Sequence, residues 1–449
     1  MRGGARQRRP QRVLVSLVLV LALAVWAVPS VSRAAPDDAD RQYQAALRTQ
    51  SATRARLSVL GDAFDCPDAR LVSYRLSDAD PQSVAQWYVA SQLWADAALL
   101  NDLRQAPAAP AGWDAGLAQC YLDKGFVFLD RLWDFSSAGY FSRSDPIGGE
   151  AVEQPKFGDD NALAGLALLE AARATTDPLA SQQYVHAARR QADFLSGSSL
   201  WDGTFGGGFW WNTTHGGTPE GKPAQTNALA ALFFARLYDA TGDPSYRDWT
   251  RRTLLWLDTM LYDPNRHLYH WSLAYADPEQ HTGSVRADRY FGYDQSIAIA
   301  AQVEDAGWDA DPARLKRAEA IGVALQTNFW APELGGYTLQ AGVPVVYTAY
   351  GAWSSLGQLA LYDADHDPAW LEQARANASA LKAVFGEPDG GYGFRDYACP
   401  DPHAAGCETS RNGVEVDHTR DTAAQAWAQQ LQAALAVRST AAGLPTQVP

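Results

Sequence analysis

Four of the nine Asp-Pro pairs in this 449-residue chain fall at nearly even spacing, and that spacing constrains the fold more than any other feature. They are Asp177-Pro178, Asp243-Pro244, Asp311-Pro312 and Asp367-Pro368, at intervals of 66, 68 and 56 residues. Each reads as a helix start, because Asp is a good N-cap and Pro loses nothing at the first helical position. Alternating with them stand Gly139-Tyr140-Phe141, Gly207-Gly208-Phe209-Trp210, Gly335-Gly336-Tyr337 and Gly390-Gly391-Tyr392, with Leu268-Tyr269-His270-Trp271 in the matching place of the third unit. These read as short turns or hairpins. Regular punctuation with little residue identity marks a structural repeat.

The helices between the marks are of two kinds. Those before Asp-Pro, such as 228–238 with Leu229, Leu232, Phe233, Phe234 and Leu237, are apolar or small nearly all round, which predicts burial. Those after it carry one stripe, as in Tyr246, Trp249, Thr253, Trp256, Leu257 and Met260, which predicts an outer layer. Inner helices are expected near 85–104, 160–174, 225–240, 293–305, 348–362 and 418–437. The first five have an outer partner after them, and the otherwise spare helix from Arg41 to Leu60 would serve the sixth. The fold class predicted is all-α, an (α/α)6 toroid occupying residues 35–449 as one domain. Connections from outer to inner helices are the long ones (134–158, 197–224, 263–291, 386–416). They open onto the face holding the inner-helix N-termini, where a cleft is expected.

Residues 1–34 read as an export signal, with Arg2, Arg6, Arg8, Arg9 and Arg12 before an apolar-to-small run from Val13 to Val28 and Ser32-Arg33-Ala34 at a cleavage spacing. A retained anchor is the competing reading. Nothing later in the sequence reads as a membrane span. The expectation is therefore a secreted, extracellular protein, free or associated with the cell wall, with no stable membrane insertion. Removing the segment would leave 31 basic against 51 acidic residues, a charge near −20, which argues against nucleic acid as a partner. Four cysteines permit Cys399 with Cys407 and Cys66 with Cys120 as disulfides. None has zinc spacing, so no metal and no cofactor is expected.

Read in order, the inner-helix starts give Asp159-Asp160-Asn161, Gln225-Thr226-Asn227, Tyr290-Phe291-Gly292-Tyr293-Asp294-Gln295, Tyr347-Thr348-Ala349-Tyr350 and Asp417-His418-Thr419-Arg420-Asp421. Carboxylates and amides hydrogen-bond sugar hydroxyls, aromatic faces stack on pyranose rings, and two nearby carboxyls can run glycoside hydrolysis. The candidate binding residues are Asn161, Trp210, Trp211, Gln225, Asn227, Tyr293, Asp294, Gln295 and Tyr350. Each has a plainer reading. Asp159 and Asp160 could cap a helix or complement its positive end, Trp210 and Trp211 could be core, and Gln225 and Asn227 could be caps. As neighbours in an extended segment, Trp210 and Trp211 should point opposite ways, one packing and one facing the cleft. His418, Arg420 and Asp421 are harder to place. Asn212-Thr213-Thr214 and Asn377-Ala378-Ser379 fit the glycosylation sequon.

The segments 157–169 around Phe157-Gly-Asp-Asp-Asn161, 207–212 with Trp210-Trp211-Asn212, 222–231 with Gln225-Thr-Asn227, and 237–246 together resemble glycoside hydrolase family 76, and Tyr293-Asp294-Gln295 matches a similar tripeptide there. The resemblance runs from about residue 85 to 437 and is strongest over 155–271. It implies an endo-acting α-1,6-mannanase on the same toroid, working on α-mannan or mannose-containing wall glycans by a retaining route, with Asp159 as nucleophile and Asp160 as general acid/base. One departure is Ala162-Leu163, where the family commonly has an aromatic, so a stacking subsite is expected to be lost or altered. Competing expectations are a mannan transglycosylase, a non-catalytic glycan-binding wall protein and a sugar 2-epimerase. Epimerases on this toroid need histidine pairs, and only His418 stands at an inner-helix start. A monomer is expected.

Overall fold

The four evenly spaced Asp-Pro pairs cap helices in the computed structural model of the protein, which describes residues 36–59, 71–106, 109–110, 112–146, 155–216, 221–397 and 415–441. The side chains of Asp177, Asp243, Asp311 and Asp367 accept from backbone N–H groups two residues on, with Pro in the first turn of each helix. The export segment and Cys66, Cys399 and Cys407 lie outside the described residues, and with them the disulfide expectation. No described helix is long and apolar enough to cross a membrane.

Twelve helices are described: α1 (Pro36–Leu57), α2 (Gln86–Gln105), α3 (Ala115–Arg131), α4 (Gly158–Ala174), α5 (Pro178–Leu195), α6 (Ala224–Thr241), α7 (Pro244–Met260), α8 (Gly292–Asp309), α9 (Pro312–Phe329), α10 (Thr348–Asp365), α11 (Pro368–Phe385) and α12 (Thr422–Ala441). The even-numbered helices pack side by side in a closed ring, α2 to α4, α6, α8, α10, α12 and back to α2. The odd-numbered ones lie outside, and α1 packs on α12 as the sixth outer helix. This is the (α/α)6 toroid. A shared acid ties the closure: Asp96 on α2 accepts from Gln50 of α1 at 2.6 Å, Gln92 at 2.9 Å and Gln429 of α12 at 3.1 Å.

The inner helix α6 is buried on nearly every side because its sequence is almost wholly small or apolar. Leu229, Leu232, Phe233, Phe234 and Leu237 of α6 are all buried, and each such side chain contributes about 1.5–3 kcal/mol relative to exposure. Close approach uses glycine, since a Cβ on Gly165 of α4 would stand 2.3 Å from the Phe233 ring.

Each outer helix from α3 to α11 returns through a small hairpin at the Gly-aromatic marks, pairing Trp133 with Tyr140, Trp201 with Phe209, Tyr262 with Tyr269, Trp330 with Tyr337 and Gly386 with Tyr392. These segments dive into the ring, where backbone groups cannot be left unpaired without cost. In four of the five, one side-chain amide closes both groups. Asn161 accepts from the N–H of Tyr140, Asn227 from Phe209, Gln295 from Tyr269 and Gln425 from Tyr392, at 2.7–2.8 Å. The same amides donate to those residues' carbonyls. All four stand four residues after the inner-helix N-cap. In the fifth unit Gly351 holds that position, and Asn377 from the outer α11 donates to its carbonyl at 2.8 Å.

Three of the expected sugar ligands are thereby reassigned. Asn161, Asn227 and Gln295 are fully buried, with their amides spent on backbone. Asn377 is likewise buried and bonded, so that sequon carries a structural amide. Gln425→Leu should leave the N–H and C=O of Tyr392 unpaired, at about 1–3 kcal/mol for each group. Denaturant unfolding should show that loss of stability, and a variant as stable as the native chain would refute the clamp.

Candidate active site

The helix that begins at Gly158 has Phe157 as its N-cap residue, with no side-chain cap bond, so neither Asp159 nor Asp160 is the cap. Both occupy the first turn, where carboxylates are favoured by the positive end of the helix. Their surroundings differ. Asp159 is 4% exposed, whereas Asp160 is partly exposed on the N-terminal face of the ring. Gln86, first residue of α2, donates to the Asp160 carbonyl at 2.8 Å.

Two donors converge on one oxygen of Asp159. Trp211 Nε1 lies 3.1 Å and Gln225 Nε2 2.6 Å from Oδ2, while Oδ1 accepts from the backbone N–H of Asp160 at 3.1 Å. Gln225 is oriented in turn by the Tyr293 hydroxyl, which donates to its Oε1 at 2.6 Å. The Tyr293 ring stacks on Tyr350 with centroids 4.4 Å apart. Asp159, Gln225, Tyr293 and Tyr350 come from four consecutive inner helices. With Trp211 they form one connected line across the ring, of which Trp211, Gln225 and Tyr350 are partly exposed, as is the neighbouring Asp160. Burial pushes the Asp159 carboxyl up to about 6, against the lowering effect of Trp211 and first-turn backbone donors.

Trp211 is delivered by a loop held from below. Lys222, with no exposed surface, donates to Asp202 Oδ1 at 2.8 Å and to the carbonyls of Thr204 and Gly207 at 2.8 and 2.7 Å. Gly208 turns this loop at φ +83°, with no room for a Cβ, which would meet Trp256 at 2.4 Å. Trp210 and Trp211 do point opposite ways. Trp210 is 2% exposed, donates to Asp202 at 2.9 Å and stacks on His215, so it is packing and not a cleft residue.

Asp294 is a second correction. It has no exposed surface, and neither carboxyl oxygen has a hydrogen-bond partner among the described residues. Burial first, then the Asp159 charge, hold it well above the ordinary carboxylate range, and with no exposed surface it presents no atom to a ligand. His418 is exposed and bound to Glu387 at 2.6 Å. Ala162 and Leu163 are fully buried in the ring.

Two partly exposed aromatics on this face carry no mark in the sequence, and Asp421, left unplaced there, joins them. Trp87 and Tyr88 at the start of α2 are partly exposed on the same face. Asp421 is 4% exposed, accepts from Ala424 N–H at 2.9 Å and is pushed up to about 7 by burial. Its charge acts on both Tyr88 and Tyr350. The signal that could have found Trp87 and Tyr88 is their register, two and three residues past the N-cap, which Asp159 and Asp160 share.

Residues 149–302 match the family model described as Glycosyl hydrolase family 76. A sequence comparison with curated proteins finds no match. Among solved structures, the chain is similar to a family 76 glycoside hydrolase from a bovine Bacteroides thetaiotaomicron strain, at 19% identity and TM-score 0.68 over 88% of this chain and 78% of that one. It is also similar to an inactive variant of the α-1,6-mannanase of Salegentibacter sp. HEL1_6 with two consecutive aspartates changed to asparagine, in complex with α-1,6-mannotriose. That likeness is at 18% identity and TM-score 0.62, over 88% of this chain and 99% of that one. A cellobiose 2-epimerase from Bacillus thermoamylovorans B4167 is similar at 11% identity and TM-score 0.66, over 87% and 98%. At these identities the structural likeness is one of fold.

The buried Asp159 makes a measurable prediction. Between about pH 4 and pH 6 the folded chain holds a proton there that the unfolded chain has released, so stability falls as pH rises through that window and stays lost above it. Asp159→Asn removes the charge and keeps the shape. At about pH 8 the variant should be more stable to denaturant by about 1–3 kcal/mol, with the gap closing near pH 4. An Asn variant no more stable at the higher pH would contradict a buried charge.

Proposed function

We infer, from a chain whose residues 149–302 match glycosyl hydrolase family 76, a glycoside hydrolase that cuts α-1,6-linked mannan internally with retention of configuration. The observation that carries this reading is the line of contacts on Asp159: a carboxyl fixed by Trp211 and Gln225 beside a partly exposed Asp160. A nucleophile must be ionised and aimed. Two N–H donors favour the carboxylate form and hold it in one orientation. Asp160, open to the cleft, is the group that can reach a glycosidic oxygen.

In the first step Asp160 gives its proton to the leaving oxygen while Asp159 attacks the anomeric carbon, forming a covalent mannosyl-enzyme. In the second, Asp160 takes a proton from water, which displaces Asp159. Trp211, Tyr350, Trp87 and Tyr88 are partly exposed rings suited to pyranose faces. The mannotriose-bound Salegentibacter protein is an inactive variant changed at two consecutive aspartates, which supports assigning the pair here. The Arg-rich, apolar N-terminal sequence supports export and action on an extracellular polymer.

A 2-epimerase reading, suggested by the likeness to the cellobiose enzyme, needs histidine acid/base pairs at the inner-helix starts. The one histidine there, His418, is exposed and engaged by Glu387.

Incubation with α-1,6-mannan should release reducing ends, and Asp159→Asn and Asp160→Asn should each lower kcat by at least about 10²–10⁴-fold. Full activity in either variant removes the pair from catalysis, and products longer than the input indicate transfer to a sugar acceptor. Activity should rise as pH passes about 6, where Asp159 ionises. Trp211→Phe deletes a donor to that carboxylate, so its acid limb should move to higher pH; an unmoved limb would separate Trp211 from the titrating group.

A further inference from the structure

Asn161, Asn227, Gln295 and Gln425 spend their amides on backbone, but among the described residues the Gln225 amide meets only side chains. Its Nε2 lies 2.6 Å from Asp159 Oδ2, and its Oε1 accepts from the Tyr293 hydroxyl at 2.6 Å. An amide carries a donating end and an accepting end on a group of nearly symmetric shape. Turned round, this one would set its oxygen against Asp159, an arrangement that only a protonated carboxyl tolerates. The direction of the Gln225 amide therefore decides whether Asp159 is favoured charged or neutral.

Tyr293 settles that direction. Its side chain is 8% exposed and lies against Tyr350, Phe291 and Trp353, with ring centroids 4.4, 6.1 and 6.4 Å away. The hydroxyl is thus held in one place, and Gln225 Oε1 is its one acceptor among the described residues. Burial holds the phenol well above its ordinary pKa, so it stays a donor. With the amide reversed, the hydroxyl hydrogen would have no acceptor, and a buried donor left unpaired is unfavourable. Both hydrogen bonds therefore run the same way, from Tyr293 through Gln225 to Asp159.

Among the described residues no cation acts on the carboxyl at the end of this chain. The titratable groups around it are Asp160 beside it on α4, Tyr293 and Asp294 on α8, and Tyr350 on α10, each of them negative when ionised. The charged form thus rests on neutral donors, namely Trp211, the Asp160 N–H and Gln225. We propose that Tyr293 is a positioning residue, which acts through Gln225 rather than on substrate and holds the amide N–H on Asp159 so that this carboxyl stays the charged nucleophile. Its place in catalysis rests on the hydrolase reading; its effect on Asp159 does not.

The test is carbon-13 NMR titration of the Asp159 carboxyl in the full protein without substrate, the signal being identified by its loss in Asp159→Asn. Tyr293→Phe keeps the ring and deletes the hydroxyl, and should raise the midpoint by about one pH unit, or about tenfold in acid dissociation. Gln225→Met should raise it at least as far. Adding Tyr293→Phe to that variant should raise it no further, because the amide that carries the effect is gone. With α-1,6-mannan, the acid limb of kcat should move up by the same amount while KM changes by less than about twofold. Should Tyr293→Phe not fold, 3-fluorotyrosine at position 293, a stronger donor, should lower the midpoint instead. The proposal is overturned by a midpoint that does not move in these variants, by shifts that add in the double variant, or by a raised KM with kcat intact at every pH. Absence of mannan cleavage would sink the hydrolase reading and leave the titration result standing, so the two failures are distinct.

Discussion

The need to pair buried backbone groups governs this structure. Five hairpins enter the ring between inner helices, and their N–H and C=O groups have no water to turn to. An Asn or Gln four residues past the N-cap meets that need at Tyr140, Phe209, Tyr269 and Tyr392. On the clamped helices α4, α6 and α8 the residue two past the N-cap, Asp159, Gln225 or Tyr293, stands in the connected line of the site, while Thr226 and Asp294 at the third position are fully buried. Tyr350, Trp87 and Tyr88 hold the second or third position on helices that have no amide clamp.

A second consequence is the cost carried by Asp159. Its carboxyl is held where water is scarce, and Trp211 and the backbone donors of the helix's first turn offset that cost only in part. Asp294, buried without a hydrogen-bond partner among the described residues, is held above the ordinary carboxylate range by its burial and by the charge of Asp159. Sites that hold groups away from their most stable form concentrate where function needs them. Lys222 matters for the same reason: tying Asp202, Thr204 and Gly207 together fixes the loop that presents Trp211.

The architecture was largely legible beforehand. Asp-Pro marks capped helices as expected, all-apolar helices were inner, and the spare N-terminal helix closed the ring beside α12. The site was legible in part. Asp159 and Gln225 meet as their positions at helix starts suggested, and Trp210 and Trp211 diverge. Asn161, Asn227 and Gln295 were misread because an amide that binds backbone and one that binds sugar are the same residue type in the same helical turn. Trp87 and Tyr88 were missed because no distinctive neighbours announce them, and Asp421, singled out at a helix start but left unplaced, acts on Tyr88 and Tyr350.

By itself the sequence determined which segments become helices and which of those lie inside, since cap chemistry and a 3.6-residue period are local properties. Only the tertiary structure decided the task of each polar residue at the helix starts. Gln225 and Trp211 reach Asp159 across 66 and 52 residues of chain, and Asn161 finds its partner on a hairpin 21 residues back. Adjacent polar side chains differ only in what distant segments bring to them, and that meeting exists once the ring has closed.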